Sequence, residues 1–225
     1  MNAAHLITWS IFLLVPVLSL RAQTTDPLWL KAQAHIEGTK NLIASEVAAH
    51  TEIIDGDGKN QDTIDKKTRL TGWKDGEPVR SVVSLVETQK SALGDAQFDL
   101  GLANHPEKAI SGILTVQRQE ETTLDSQSCV VFQVTGQMEK KKKKIPFTGK
   151  VWIDKTTGLP LRVDYAFDPS SIPMTKSMNQ SVVYSRTSEG SWLPKTVSID
   201  ASMSVMFMKI KMTIRQNLDM WVSRP

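Results

Sequence analysis

The C-terminal half of the chain alternates between apolar and polar side chains with the period of two that is typical of β-strands. Short segments rich in Asp, Ser, Thr and Gly interrupt this alternation and are typical of turns. Because strands joined by such turns pair antiparallel, the pattern predicts an antiparallel sheet. The predicted hairpins pair 114–119 with 129–135, 147–154 with 159–167, and 181–186 with 193–201.

The alternation also predicts which face of this sheet is buried. Lys150 and Asp154 share one face of the strand over 147–154, opposite most of its apolar residues. In the next strand, Arg162 and Asp164 are separated from the apolar residues in the same way. This division is typical of a sheet with one apolar face. The side chains predicted on that face are Phe147, Val151, Ile153, Leu161, Val163, Tyr165 and Phe167.

The stretch 197–214 alternates along its whole length, but the parity of its apolar positions reverses near residue 206. A reversal of this kind predicts a β-bulge or a sharp bend at 205–207. Four methionines lie close to it, and flexible thioethers are used on surfaces that accept variable apolar partners. Ordinary core packing explains the methionines equally well. The apolar side chains nearest the reversal are Met203, Val205, Met206, Met208, Ile210 and Met212.

The N-terminal half is predicted to contain one helix followed by further strands. Asp26 and Pro27 are a suitable cap and first residue for a helix over 27–49. Strands are predicted over 51–54, 68–73 and 79–86, and residues 92–110 are predicted to be a loop or a short helical insertion.

Residues 6–20 are largely apolar and carry no charge. This run is shorter than the stretch of about 20 residues that spans a bilayer, and it ends near the small residue Ala22. These features predict a signal peptide over 1–22 that is removed on export, and an uncleaved anchor is the alternative interpretation. The remaining residues, 23–225, are expected to form a single domain.

The net charge of the chain and its few cysteine and histidine residues argue against several classes of function. Loss of Arg21 with the signal peptide lowers the formal net charge from +3 to +2, which does not suggest a nucleic-acid partner. Cys129 is the only cysteine, so no intrachain disulfide forms, and its apolar neighbours predict a core position. The four histidines lack metal-type spacing, and no catalytic motif is visible. We therefore predict neither a cofactor nor a metal, and no enzymatic activity.

Three segments carry a family resemblance. The hairpin over 149–162, GKVWIDKTTGLPLR, is similar to the corresponding hairpin of the LolA-like superfamily, and the segment over 190–194, GSWLP, is similar to its entry into the next strand. Residues 123–125, which lead to 129–132, resemble its turn followed by a strand. That superfamily comprises periplasmic lipoprotein and lipid carriers, and its members include LppX and the N-terminal domain of RseB. The resemblance extends over roughly residues 110–205. It implies a mostly β fold with α elements, in which helices cover the concave side of a curved antiparallel half-barrel.

The resemblance also implies a function. It is typical of an exported periplasmic protein, expected to be monomeric, that holds lipid or the acyl chains of a lipoprotein in an apolar groove without catalysis. A membrane-bound delivery partner is then expected. The alternatives are an envelope-stress sensor similar to RseB, which binds a partner protein, and an enzyme with no visible motif. The groove residues predicted in this way are Val151, Ile153, Val163, Tyr165, Phe167, Met203, Val205, Met206, Met208, Ile210 and Met212.

Overall fold

Ten antiparallel β-strands form one continuous sheet. The computed structural model describes residues 25–56, 58, 61–88, 101–140, 143–205 and 208–225; the predicted signal peptide lies outside these ranges. The strands are β1 (Leu42–Asp55), β2 (Gln61–Lys74), β3 (Glu77–Glu87), β4 (Ile113–Leu124), β5 (Gln127–Lys140), β6 (Lys143–Asp154), β7 (Pro160–Phe167), β8 (Thr175–Arg186), β9 (Trp192–Val205) and β10 (Met208–Ser223).

The sheet is open, and its order is β3-β2-β1-β10-β9-β8-β7-β6-β5-β4. Strands β1 to β3 form one run of consecutive hairpins, and strands β4 to β10 form a second. The two runs are joined by the pairing of β1 with β10, which extends from Leu42 opposite Ser223 to Asp55 opposite Ile210. The edges of the sheet in the described part of the chain are β3 and β4.

Short helices cover one side of this curved sheet. They are α1 (Pro27–Gly38), α2 (Gly101–Asn104) and a 3₁₀ helix (Pro106–Ile110). Helix α1 contacts the 3₁₀ helix and β6, and α2 contacts β1. The predicted fold class, a curved antiparallel half-barrel with helices over its concave side, is confirmed. None of the helices within the described ranges has the length and apolarity needed to span a membrane.

Helix α1 is fixed at its first turn and along its inner face. The carboxylate of Asp26 caps the helix by accepting hydrogen bonds from the backbone N–H groups of Leu28 at 2.9 Å and Trp29 at 3.3 Å. The Trp29 ring packs on Phe132 of β5 with a centroid distance of 5.6 Å. Ala32, Ile36 and Trp29 are the buried residues of the helix, so one face of α1 closes over the sheet.

The prediction of a helix over 27–49 is wrong beyond Gly38, where α1 ends. Glycine weakens a helix, and from Glu46 the burial of side chains follows a period of two. Within β1, Val47, Ala49, Thr51 and Ile53 are buried, and they alternate with more exposed residues. The segment is therefore a strand with one buried face.

The parity reversal near residue 206 separates two strands. Strand β9 ends at Val205, β10 begins at Met208, and these two residues pair with each other. A β-bulge within one strand is therefore the wrong explanation, and a change of strand is the right one. Because the two strands are antiparallel partners, the odd residues of β9 and the even residues of β10 lie on the same face of the sheet.

Two glycines let aromatic rings lie against the sheet. A side chain added to Gly136 would meet the Phe147 ring at 2.4 Å, and one added to Gly149 would meet the Tyr165 ring at 2.5 Å. Each ring belongs to the strand paired with its glycine. The absence of a Cβ atom thus lets Phe147 and Tyr165 pack together, with a centroid distance of 4.5 Å.

Candidate functional site

The predicted groove residues in the described part of the chain lie on the concave face of the sheet. The strand register shows that this face continues from β6 to β10. Val151 is opposite Val163, Val163 is opposite Val182, and Val182 is opposite Val197. Gln216 of β10 is in turn opposite Val197. Met203, Ile210 and Met212 share the parity of Val197 and Gln216, so the register places them on the same face.

Five of the predicted groove residues are buried beneath the helices. Val151, Ile153, Val163, Tyr165 and Phe167 are all part of the main hydrophobic cluster, which also contains Trp29 and Ile36 from α1. None of the five is more than 5% exposed. In this structure they form the packed floor of the covered half of the concave side.

Tyr165 joins this floor to the helical cover. Its hydroxyl donates a 2.5 Å hydrogen bond to the carbonyl oxygen of Ala109 in the 3₁₀ helix. Burial raises the pKa of Tyr165 well above its usual value, and the nearby Tyr184 raises it further. The residue is therefore a neutral hydrogen-bond donor that holds the 3₁₀ helix against the sheet.

The remaining predicted groove residues lie on a different part of the concave face, on β9 and β10. Met203, Ile210 and Met212 are half-buried, unlike the covered residues of β6 and β7. The backbone pairing of Val205 with Met208 continues this ladder, while their side chains and the whole of Met206 lie outside what the structure describes. We call this region the β8–β10 apolar surface; its described side chains are Met178, Ile199, Met203, Ile210, Met212 and Ile214.

Met178 and Ile199 were not among the predicted groove residues. Ile199 is opposite Ile214 across β9 and β10, and Met178 is opposite Ala201 across β8 and β9. Alternation alone places Ile199 and Ile214 on apolar faces, and the register is needed to bring the two faces together. Met178 stands among polar neighbours, so its sequence gives only a weak signal.

A second apolar feature of the concave side is a cleft of about 890 Å³ between α1 and β4. It is lined by Leu30 and Ala34 from the helix, by Leu114 and Val116 from the strand, and by polar side chains that include Gln33 and Glu37. Its volume lies within the range of about 300–1,000 Å³ that is typical of small-ligand sites. The sequence signal for the cleft is the spacing of Leu30 and Ala34, two apolar residues four positions apart; the structure places both outside the buried face of α1.

Several polar side chains interrupt the apolar concave face. Thr51 and Thr68 are buried, and neither hydroxyl has a hydrogen-bond partner in the part of the chain that the structure describes. The same holds for the Oδ1 atom of the half-buried Asp62 and for the hydroxyl of Tyr184. Buried polar atoms without partners are uncommon in native proteins, so these positions are candidates for contacts with a ligand.

The convex face carries polar side chains on β6 and β7. The Arg162 guanidinium lies over the Trp152 ring at 5.7 Å and donates a 2.8 Å hydrogen bond to Asp164. Cys129 is fully buried, as the sequence predicts, and burial raises the pKa of its thiol. Across β6 and β7 the two faces of the sheet thus differ in chemistry, and the concave face is the apolar one.

Edge strand β3 differs from the opposite edge of the sheet. It exposes five large apolar residues, whereas β4 carries mainly polar and charged residues along its middle. Native proteins usually protect edge strands with charge, because exposed apolar edges pair with other strands. The exposed apolar residues of β3 are Val79, Val82, Val83, Leu85 and Val86.

The fold and its concave side define an open antiparallel half-barrel with an apolar inner face. No protein-family model and no curated protein matches this chain. Among solved structures it is similar to a DUF1329 family protein from Desulfovibrio piger, with 13% identity, a TM-score of 0.35, and coverage of 87% of this chain and 94% of that chain.

Two further solved structures are similar over most of their length. One is Mycobacterium tuberculosis lipoprotein LppX, with 12% identity, a TM-score of 0.29, and coverage of 85% of this chain and 94% of that chain. The other is the Pseudomonas aeruginosa MucA/MucB complex, with 9% identity, a TM-score of 0.23, and coverage of 88% and 98%. LppX belongs to the superfamily that the sequence resembles.

Proposed function

We propose that this protein is an exported binding protein that holds the acyl chain of a lipid or lipoprotein against its concave face, without catalysis. The observation that carries the proposal is the β8–β10 apolar surface. Its side chains are half-buried, and they continue the apolar face beyond the core that α1 and the 3₁₀ helix cover. An apolar surface on the inside of an open half-barrel is suited to a narrow, flexible hydrocarbon ligand.

The energetic case rests on burial of methylene groups. Each methylene removed from water contributes about 0.8 kcal/mol, so ten methylenes contribute roughly 8 kcal/mol before the cost of ordering the chain is subtracted. Methionine side chains are flexible, and this lets one surface pack against chains of different length and branching. We therefore expect binding to tighten with chain length and to tolerate variation in the chain.

In this proposal the predicted residues have two roles. The ligand lies against the region of β9 and β10 that includes Met203, Val205, Met206, Met208, Ile210 and Met212. The buried set of Val151, Ile153, Val163, Tyr165 and Phe167 forms the apolar floor that continues from it.

The location of the protein forms part of the same proposal. Residues 1–22 act as a signal peptide, and the mature protein is a periplasmic monomer that passes its ligand to a membrane-bound partner. N-terminal sequencing of the protein recovered from the envelope should begin at Gln23. Recovery of a chain that begins at Met1 would contradict cleavage.

The binding function is tested by native mass spectrometry of the mature protein, both as isolated and after titration with palmitoyl lipids. We expect adducts with the mass of an acyl lipid. A protein that remains without adducts under all conditions would contradict the proposal.

A matched pair of variants tests where the acyl chain of the ligand binds. Met203→Glu places a charge on the concave face, whereas Ser204→Glu places the same charge on the opposite face, beside Lys209. We expect M203E to weaken acyl binding at least about tenfold, because a buried carboxylate opposes the chain, and S204E to leave it unchanged. Equal binding by both variants would exclude the β8–β10 apolar surface. The cleft would then be examined through Leu114→Glu, with Thr115→Glu as its control.

The second candidate function is a regulator that binds a partner protein, and edge strand β3 favours it. Val82 is 53% exposed and Val86 is 62% exposed, and an extended segment of a partner can pair with such an edge. A photo-crosslinker at Val83 should then give one defined adduct in envelope extracts, and Val86→Lys should abolish it without changing lipid uptake. Absence of any defined adduct would remove this candidate.

A further inference from the structure

The concave face carries two polar side chains that are close neighbours across β1 and β2. Thr51 in β1 is directly opposite Ile64 in β2 and Ile214 in β10. Asp62 lies two residues before Ile64 on the same strand, so it shares the concave face with Thr51 as a diagonal neighbour. Diagonal neighbours lie about 7 Å apart, a separation that one ligand group can bridge through hydrogen bonds to both side chains.

Each of these side chains has a buried oxygen that lacks a partner. The Oγ1 atom of Thr51 and the Oδ1 atom of Asp62 have no hydrogen bond within the described ranges. Thr51 is only 1% exposed, so solvent does not satisfy its hydroxyl in this structure. Asp62 is half-buried, so part of this residue is exposed to solvent although its Oδ1 atom is buried. Buried oxygens of this kind are usually satisfied in a functional state of a protein.

Apolar side chains surround the pair and connect it to the β8–β10 apolar surface. Ile53 is directly opposite Asp62, and Ile53 is also opposite Met212 on the other side of β1. Ile214, opposite Thr51, belongs to the same surface. A hydrocarbon chain that lies against Met212 and Ile214 would thus bring its head group to Thr51 and Asp62. The arrangement matches an amphiphile, with an apolar stretch that ends at a polar pair.

The charges around the pair favour one kind of head group. Lys66 and Gln216 also lie on this face, diagonal to Thr51, and each has an interaction of its own. Glu87 is opposite Ile64, so a second carboxylate stands near Asp62. Asp55, two residues after Ile53 in β1, adds a third carboxylate on this face, so three carboxylates and one lysine leave the region negatively charged. A carboxylate or phosphate head group would be repelled, whereas a hydroxyl or an ammonium group would donate to Asp62 and meet the Thr51 hydroxyl.

We propose that Thr51 and Asp62 bind the head group of the acyl ligand through its hydrogen-bond donors, so that the protein selects chains bearing hydroxyl or ammonium groups over anionic ones. The inference rests on the proposed function, since it assigns a head-group site to the same binding face. The Asp62 carboxylate accepts a hydrogen bond from the ligand, and the Thr51 hydroxyl donates to it or accepts from it.

Three probes with the same hydrocarbon chain test this selectivity on the purified mature protein. They are monopalmitoylglycerol, hexadecylamine and palmitate, compared by displacement of a fluorescent acyl probe at one pH and salt concentration. We expect monopalmitoylglycerol and hexadecylamine to bind about tenfold more tightly than palmitate, the difference that one charge-assisted hydrogen bond provides. Palmitate binding as tightly as the other two would overturn the head-group site and leave the proposed function standing. Failure of all three to bind would overturn both.

Variants test whether these residues cause the selectivity. Thr51→Val keeps the shape of the side chain and removes its hydroxyl, and Asp62→Asn removes the charge. We expect each variant to lose most of the tenfold preference, and D62N to bind palmitate more tightly than the wild type does. Unchanged selectivity in both variants would overturn the assignment.

Thr68→Val provides the matched control. Thr68 is also buried on the concave face with an unpartnered hydroxyl, but it lies opposite Val47 and away from Asp62. We expect T68V to keep the wild-type preference, and an equal loss in T68V and T51V would overturn the proposal. Should T51V fail to fold, the comparison of wild type with D62N still decides the outcome.

Discussion

Tyr165 and Tyr184 lie on neighbouring strands of the concave side, and each is 4% exposed. They differ in the environment of the hydroxyl. The Tyr165 hydroxyl donates to the carbonyl oxygen of Ala109 at 2.5 Å, whereas the Tyr184 hydroxyl has no partner within the described residues. Replacement of each tyrosine by phenylalanine removes one oxygen from a buried site of similar depth. Comparison of the two variants therefore distinguishes the contribution of a hydrogen bond to stability from the effect of removing a buried hydroxyl.

The expected effects have opposite signs. Tyr165→Phe leaves the carbonyl of Ala109, a residue that is 1% exposed, without its donor. We expect the free energy of unfolding to fall by about 1–3 kcal/mol, the cost of an unsatisfied buried polar group. Tyr184→Phe removes an oxygen that is already unsatisfied, so the free energy of unfolding should stay constant or rise by about 1 kcal/mol.

Urea unfolding followed by far-ultraviolet circular dichroism measures both changes, and thermal unfolding checks them. A difference of about 2 kcal/mol between the variants corresponds to roughly 4–8 °C in Tm for a chain of this size. The m-value should be the same in both variants, since neither substitution alters the surface exposed on unfolding. Equal losses of stability in the two variants would refute the reasoning, because the Tyr184 hydroxyl would then have a partner of its own.

Two further predictions concern the sheet and the helix cap. Gly149→Ala should destabilise the fold by about 1–3 kcal/mol, because the new Cβ atom would lie 2.3 Å from the carbonyl oxygen of Asp164, whereas Gly72→Ala, with no atom within 4 Å of its Cβ position, should be tolerated in the same urea assay. Burial raises the pKa of Asp26, but hydrogen bonds from Arg118 and the α1 backbone outweigh it and lower the pKa below 3.8. The stability that Asp26 contributes is present above that value and is lost as the pH falls through the lowered pKa, so Asp26→Asn should flatten the acid limb of the stability profile. An unchanged acid limb would contradict the Asp26 assignment.

The sequence predicts much of the C-terminal half of the fold because burial of one sheet face is encoded locally. Val151, Ile153 and Val163 are placed on the apolar face by alternation alone, and the structure confirms that they share it. The reversal near residue 206 shows the limit of this reasoning. A bulge and a change of strand give the same local pattern, and only the pairing of Val205 with Met208 separates them.

The polar pair on the concave face was beyond prediction for a similar reason. Thr51 and Asp62 stand on different strands, and each fits an ordinary strand pattern on its own. Their proximity depends on the register of β1 against β2, which neither strand shows on its own. The helix predicted over 27–49 failed because weak apolar spacing is compatible with both periods, and tertiary burial of β1 decided between them.

The pairing of β1 with β10 constrains the order in which the protein can fold. All the other strand pairs join strands consecutive in the sequence, whereas this one brings Leu42 against Ser223. Closing so long a loop costs more entropy than forming a hairpin, so the two hairpin runs should assemble before they join. A chain delivered from its N-terminus cannot complete its sheet until residues 208–223 have emerged. In that interval β1 and β9 each present an unpaired edge, which makes it the stage most exposed to aggregation and most dependent on a chaperone.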